Sequence, residues 1–176
     1  MVAGVLALSA IGFLTAHASD LKVGDAAPEF SLPGTDGKTY KLSDYKGKQA
    51  VVLAWFPRAF TPGCTLECKS LKENGEAIRK FDAVYFAVSL DPIEGEKGNK
   101  KFAESLGLDF PLLSDAGKAA VAAYGTQHPE KPVAQRWTFY IAKDGKILAI
   151  DKDVQTATHG SDVAKRLKEL GVSEKK

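Results

Sequence analysis

Residues 50–56 form an apolar run, Ala-Val-Val-Leu-Ala-Trp-Phe, that breaks off at Pro57. No other stretch limits the fold as strongly. A run this apolar, with β-branched and aromatic members, predicts a central strand buried on both faces. The loop that follows, Pro57-Arg58-Ala59-Phe60-Thr61-Pro62-Gly63, is punctuated by two prolines and a glycine, and then comes Cys64. Both prolines lock φ near −65° and hold the preceding residues, Phe56 and Thr61, in extended backbone. From Cys64 onward the apolar positions Leu66, Leu71, Ala77, Ile78 and Phe81 have loose helical spacing. A helix over residues 64–80 is expected, weakened near Gly75.

The rest of the chain alternates in the same way. Gly34-Thr35-Asp36-Gly37-Lys38 is a turn between two short extended pieces and predicts an N-terminal β-hairpin. Residues 41–48 hold a short helical turn, and residues 83–90 a second buried strand. Helices are expected over 97–106, 117–124 and 162–170, each closed by a glycine. Strands are expected over 136–142 and 147–151, joined by the hairpin turn Lys143-Asp144-Gly145-Lys146. This order implies an α/β class, with a central mixed β-sheet flanked by helices. Residues 126–134, with His128, Pro129 and Pro132, predict a loop bordering the site because it leads into Arg136. His128 and His159 are expected to be exposed loop histidines, and Trp55 and Trp137 to be core residues.

Cys64 and Cys68 are the two cysteines of the chain. A thiolate is the nucleophilic form of cysteine, and an ordinary thiol is only a few per cent ionised at pH 7. The first turn of a helix offers unpaired N–H groups and a partial positive charge, together worth about 0.3–1 kcal/mol to an anion. A tenfold change in ionisation takes about 1.4 kcal/mol, so a dipole needs help from hydrogen bonds and a cation. Thr61 supplies a hydroxyl; Arg58 and Arg136 are the candidate cations. A plain structural disulfide fits poorly. Residues i and i+4 of a helix are separated by a full turn, and the closed loop would be too small to stabilise much. A catalytic or ligand role follows.

Pro57, Thr61 and Cys64 match the P-x-x-x-T-x-x-C signature of peroxiredoxins, and the fuller string Phe56-Pro57…Thr61-Pro62-Gly63-Cys64-Thr65 resembles the bacterioferritin comigratory protein (PrxQ) branch of the AhpC/TSA family. Three further blocks in the right order strengthen the resemblance: residues 23–32, residues 110–115, and Arg136-Trp137-Thr138-Phe139-Tyr140-Ile141 with Asp144-Gly145-Lys146-Ile147. The resemblance spans roughly residues 21–171. It implies a thioredoxin-like fold and a thiol peroxidase acting on hydrogen peroxide or organic hydroperoxides. By the same resemblance Cys64 is the peroxidatic cysteine, Thr61 the hydroxyl that bonds thiolate and peroxide, and Pro57 the residue shielding the thiolate. Arg136 is the cation that favours the thiolate and polarises the peroxide, and Glu67 an acidic residue that orients the arginine. Cys68 is the candidate resolving cysteine, although it follows Cys64 by four residues where that branch usually has five. No metal or organic cofactor is implied. A thioredoxin-like dithiol protein is the implied reductant, and a monomer the implied state.

Two other functions fit parts of this pattern. Sco-type copper-binding proteins also place C-x-x-x-C at a helix start, which would make Cys64, Cys68 and His159 a copper site. A general thiol–disulfide oxidoreductase is the other, although C-x-x-C is its usual spacing. The net charge of +2 comes from interspersed acidic and basic residues and offers no footprint for nucleic acid. Residues 1–18 are apolar, lack charge between positions 2 and 16, and end in Ala16-His17-Ala18, a small-x-small cleavage pattern. They are expected to be a secretory signal peptide, with residues 19–176 forming one domain. Export to a periplasmic or similar oxidising compartment would follow, without stable membrane association after cleavage.

Overall fold

The computed structural model describes residues 20–175. The expected signal peptide lies outside them. A small antiparallel hairpin, β1 (Ser31–Pro33) and β2 (Thr39–Lys41), opens the fold, with Gly37 at φ +82 in its turn. A single 3-10 turn, Leu42–Asp44, leads to β3 (Ala50–Trp55). Then come α1 (Pro62–Glu73), α2 (Gly75–Arg79), β4 (Ala83–Ser89), α3 (Asn99–Leu106), β5 (Leu112–Ser114) and α4 (Ala119–Ala123). The chain finishes with β6 (Thr138–Ile141), β7 (Ile147–Asp151) and α5 (His159–Glu169).

The main sheet runs β5-β4-β3-β6-β7. β4 pairs with β3 and β5 in parallel, whereas β6 pairs with β3 and β7 antiparallel. The expected central mixed sheet with flanking helices and an N-terminal hairpin is therefore present. All six residues of β3 are buried, and they alternate between two apolar layers. Val52 and Ala54 join Cys64, Cys68, Leu71, Ile78 and Leu167 under α1, α2, α3 and α5. Val51, Leu53 and Trp55 pack with Tyr124, Phe139, Val121 and the hairpin on the other face. Period-two alternation with apolar residues at both phases is what a two-sided core requires of its central strand.

Several boundaries differ from expectation, each for a local reason. The helix expected over 64–80 begins at Pro62 and divides at Asn74, whose φ −101, ψ 8 backbone leaves the helical region. Proline suits the first helical position because its missing N–H has no partner there anyway. The strand expected from residue 136 starts at Thr138, where β6 begins to pair with Ala54 near the end of β3. Arg136 thus stands just before the start of the interior strand β6, beside the loop after β3. β5 was not expected as a strand; it is short and follows Pro111. The last helix starts at His159 rather than 162.

Candidate active site

Local geometry delivers Cys64 to the first turn of α1. Thr61 is the N-cap, extended at φ −92, ψ 150, and its carbonyl accepts the Thr65 N–H at 2.9 Å. Pro62, Gly63 and Cys64 are then the first three helical residues, so the Gly63 and Cys64 N–H groups have no partner within the helix. Phe60 is held at φ +60, a left-handed conformation that turns the loop into the helix. The loop is tied to the end of β4 by Ala59, whose N–H donates to Asp91 Oδ2 at 2.8 Å.

The buried face of α1 carries Cys64, Glu67, Cys68 and Leu71, at i, i+3, i+4 and i+7. Arg136, just before β6, reaches this face. Its Nη2 lies 3.4 Å from Cys64 Sγ, and its Nη1 donates to Glu67 Oε2. The guanidinium also sits against the backbone of the turn: a Cβ on Gly63 would stand 3.4 Å from Nη2. Arg136 is 21% exposed, whereas Glu67 is 1% exposed. A buried carboxylate is tolerable there because the guanidinium compensates its charge.

His159 lies behind Glu67. It opens α5 and is 2% exposed, which corrects the expectation of an exposed loop histidine. Its Nε2 is 2.9 Å from Thr138 Oγ1. Its Nδ1 is 3.0 Å from Glu67 Oε1 but off the line of an N–H···O bond, so neither atom is hydrogen-bonded. Burial, and after it the Arg136 charge, push the imidazolium down to about 4, against weaker support from Asp162 and Asp151. The ring is neutral at pH 7. We assign its proton to Nδ1, since the facing carboxylate can only accept, and let the Thr138 hydroxyl donate to Nε2.

The other sequence candidates divide. Arg58 is exposed, and among the described residues its side chain makes no ion pair, so Arg136 is the cation at the sulfur. Thr61 Oγ1 donates to the Arg58 carbonyl at 2.9 Å and is not bonded to Cys64 in this arrangement. Pro57 lines a surface cavity with Arg58, Ala59 and Leu90 and with Pro132 and Val133 of the 126–134 loop; Cys64 and Arg136 do not line it. Trp55 is buried, and Trp137 is partly buried under Lys152, whose Nζ is 4.1 Å from the ring centroid. Cys64 and Cys68 are free and fully buried. Burial, followed by the neighbouring Cys64, pushes the Cys68 thiol well above its ordinary range. His159 faces Glu67 rather than the sulfurs, and no group of three metal-ligating side chains occurs among the described residues. The copper-site reading therefore has no geometric support.

Sequence spacing could have signalled more of this site. A glutamate at i+3 within the apolar stripe Cys64–Cys68–Leu71 demands a buried cation. No comparable signal marked His159.

A sequence model described as the AhpC/TSA family matches residues 23–150. Peroxiredoxin Bcp of Escherichia coli K12 is 35% identical over 155 residues, which span 85% of this chain and 97% of the relative. Peroxiredoxin Bcp of Bacillus subtilis is 34% identical over 156 residues, 85% of this chain and 97% of the relative. Among solved structures, peroxidoxin BcpB from Mycobacterium tuberculosis superposes with a TM-score of 0.75 at 31% identity, covering 85% of this chain and 97% of its own. PrxQ of Xylella fastidiosa superposes with a TM-score of 0.79 at 24% identity, covering 87% and 99%, a likeness of fold.

Proposed function

Because the chain belongs to the AhpC/TSA family and is a thiol-dependent peroxidase of the Bcp/PrxQ type, we propose that Cys64 is its peroxidatic cysteine and that Arg136 and the first turn of α1 activate it. The observation that carries this reading is the Arg136 Nη2 to Cys64 Sγ contact of 3.4 Å at a helix N-terminus. A cation and unpaired N–H groups favour the anionic sulfur. The same donors face the oxygens of a peroxide that approaches it.

The chemistry follows from the placement. The Cys64 thiolate attacks one peroxide oxygen, the O–O bond breaks, and the other oxygen leaves as alkoxide or hydroxide and takes a proton. Cys64 is then a sulfenic acid. Cys68 cannot reach it while α1 is intact, because its thiol is buried and protonated one turn away. Unwinding of the first two turns lets Cys68 attack the Cys64 sulfur; a disulfide forms and water leaves. An external dithiol protein of thioredoxin type then reduces the disulfide and is itself oxidised. The Thr61 hydroxyl, now on the Arg58 carbonyl, needs one side-chain rotation to serve the sulfur or the peroxide. Pro57 covers the approach. We further read residues 1–18 as an export signal, on the strength of their apolar run and small-x-small end, and the folded domain as a monomer by analogy with its branch.

Mixing the reduced protein with stoichiometric hydrogen peroxide tests the reading. Fast thiol loss is expected, abolished in Cys64→Ser. Cys68→Ser is expected to react once and accumulate sulfenic acid, captured by dimedone and weighed by mass spectrometry. Unchanged peroxide consumption by Cys64→Ser would sink it.

A further inference from the structure

Glu67 and Arg136 form a pair at the thiol, yet the pair is not self-supporting. The guanidinium uses Nη2 toward Cys64 and Nη1 toward one oxygen of Glu67. The second oxygen, Oε1, is buried and has no hydrogen bond. A carboxylate held by one oxygen can pivot about its Cγ–Cδ bond, and the guanidinium would follow. His159 Nδ1 faces that free oxygen at 3.0 Å.

His159 is itself held from two sides. The Thr138 hydroxyl, on the first residue of β6, is 2.9 Å from Nε2. The adjacent Gly160 N–H donates to Ser70 Oγ on α1 at 3.0 Å. Gly160 lies so close to α1 that a Cβ there would overlap the Ser70 carbonyl oxygen. The imidazole is therefore held against the sheet and against the last turn of α1, which lies beyond the two turns that would unwind.

We propose that His159 is a positioning residue for the thiolate: its Nδ1, packed 3.0 Å from the free oxygen of Glu67 without an aligned hydrogen bond, restrains that oxygen by close contact, Glu67 holds the Arg136 guanidinium, and Arg136 is thereby kept on the Cys64 sulfur. The proposal rests on the assignment of Cys64 as the reactive thiol. His159 touches neither the sulfur nor a peroxide, so it acts through the arginine and not as an acid or base. Its neutral state suits the task, because an imidazolium beside Glu67 would compete with Arg136 for the carboxylate. The charged groups around the ring are Glu67 from α1, Arg136 from the segment before β6, Asp151 from β7 and Asp162 from α5. Asp151 and Asp162 line the same cavity as His159 and would shelter a proton if the pocket opened. When α1 unwinds after oxidation, Glu67 departs from His159 and the arginine loses its hold. Refolding on reduction restores the whole chain of contacts together.

The experiment separates the two nitrogens. His159→Gln keeps a polar atom near Nε2 for Thr138 and loses the contact with Glu67. His159→Asn keeps a donor near Nδ1 for Glu67 and loses Thr138. The rate of Cys64 alkylation by iodoacetamide is measured against pH in a Cys68→Ser background, alongside the single-turnover rate with hydrogen peroxide. His159→Gln is expected to raise the alkylation midpoint by about one pH unit and to slow peroxide reduction at pH 7 by about tenfold. His159→Asn is expected to recover most of both. A folded His159→Gln protein whose alkylation profile superposes on the parent overturns the proposal. So does an equal shift in both variants, which would mark the residue as packing only. If His159→Gln does not fold, Thr138→Val frees the ring by removing its hydroxyl partner, and a midpoint that does not move upward overturns the proposal equally. The alkylation profile reads the thiolate without peroxide, so a parent that alkylates readily but ignores peroxide would refute the peroxidase reading instead.

Discussion

Cys64 and Cys68 lie one turn apart on one face of one helix, and both are fully buried. Their proposed roles are nevertheless opposite. Cys64 sits where the helix has free N–H groups and where Arg136 brings a positive charge to 3.4 Å. Cys68 sits one turn deeper, in the apolar layer with Leu71 and Ile78, and burial pushes its thiol up. Burial alone would silence both sulfurs. On the proposed assignment, the Arg136 charge and the helix N-terminus at one end of α1 are what set the two sulfurs apart. On the same assignment the second becomes a nucleophile only when the helix opens, and that opening would separate the peroxide step from the resolving step.

The largest expected difference between the two is kinetic. In the native reduced protein, iodoacetamide should label Cys64 about a hundredfold or more faster than Cys68, because Cys68 waits for an opening that costs roughly 3–4 kcal/mol. Peptide mass mapping of partially labelled protein checks this, and denaturant should bring the two rates within a few-fold. Equal native rates would erase the contrast.

A pH dependence should appear next, through the residue that supports only the Cys64 end. His159 titrates at about 4 in the folded protein, against about 6.5 for an unperturbed histidine. Below the unfolded value the unfolded chain binds the extra proton. Stability therefore falls as pH drops from about 6.5 toward 4 and levels off below, for a total loss on the order of 3 kcal/mol. Thermal melts of the parent and His159→Asn across that window should converge at acid pH as the parent loses its advantage. Parallel melting curves would show that the ring is not buried neutral.

A smaller effect is expected from the arginine when only its fork is removed. Arg136→Lys keeps a charge but cannot hold Glu67 and the sulfur side by side, and should slow peroxide reduction by about ten- to thirtyfold at unchanged fold. Arg136→Met should lose about a hundredfold or more. Stopped-flow Trp fluorescence checks both. Neither should alter the slow labelling of Cys68 by more than a few-fold, which sharpens the contrast between the two thiols.

Much of this architecture was legible in the chain. The apolar run at residues 50–56, the glycine stops and the Lys143–Lys146 turn are local signals, and the elements they announce are all present. The same holds for the loop that fixes Cys64 at a helix start, since prolines and an N-cap act on their immediate neighbours. Glu67 was named through the family resemblance, although its place as a carboxylate in an apolar stripe also marks it. His159 was not visible, because a histidine before a helix looks alike whether it faces solvent or a buried glutamate.

The primary structure by itself determined the strand, the loop, the helix start and the thiol placed on it, through steric and hydrogen-bonding preferences that reach only a few residues. Tertiary structure alone decided that Arg136 and not Arg58 meets the sulfur, and that His159 closes the network behind Glu67. Those partners lie 72 and 21 residues apart along the chain, for Cys64–Arg136 and Thr138–His159. No local preference encodes such distances. The antiparallel pairing of β6 with β3 and the close seat of Gly160 on α1 bring them together in one packed layer.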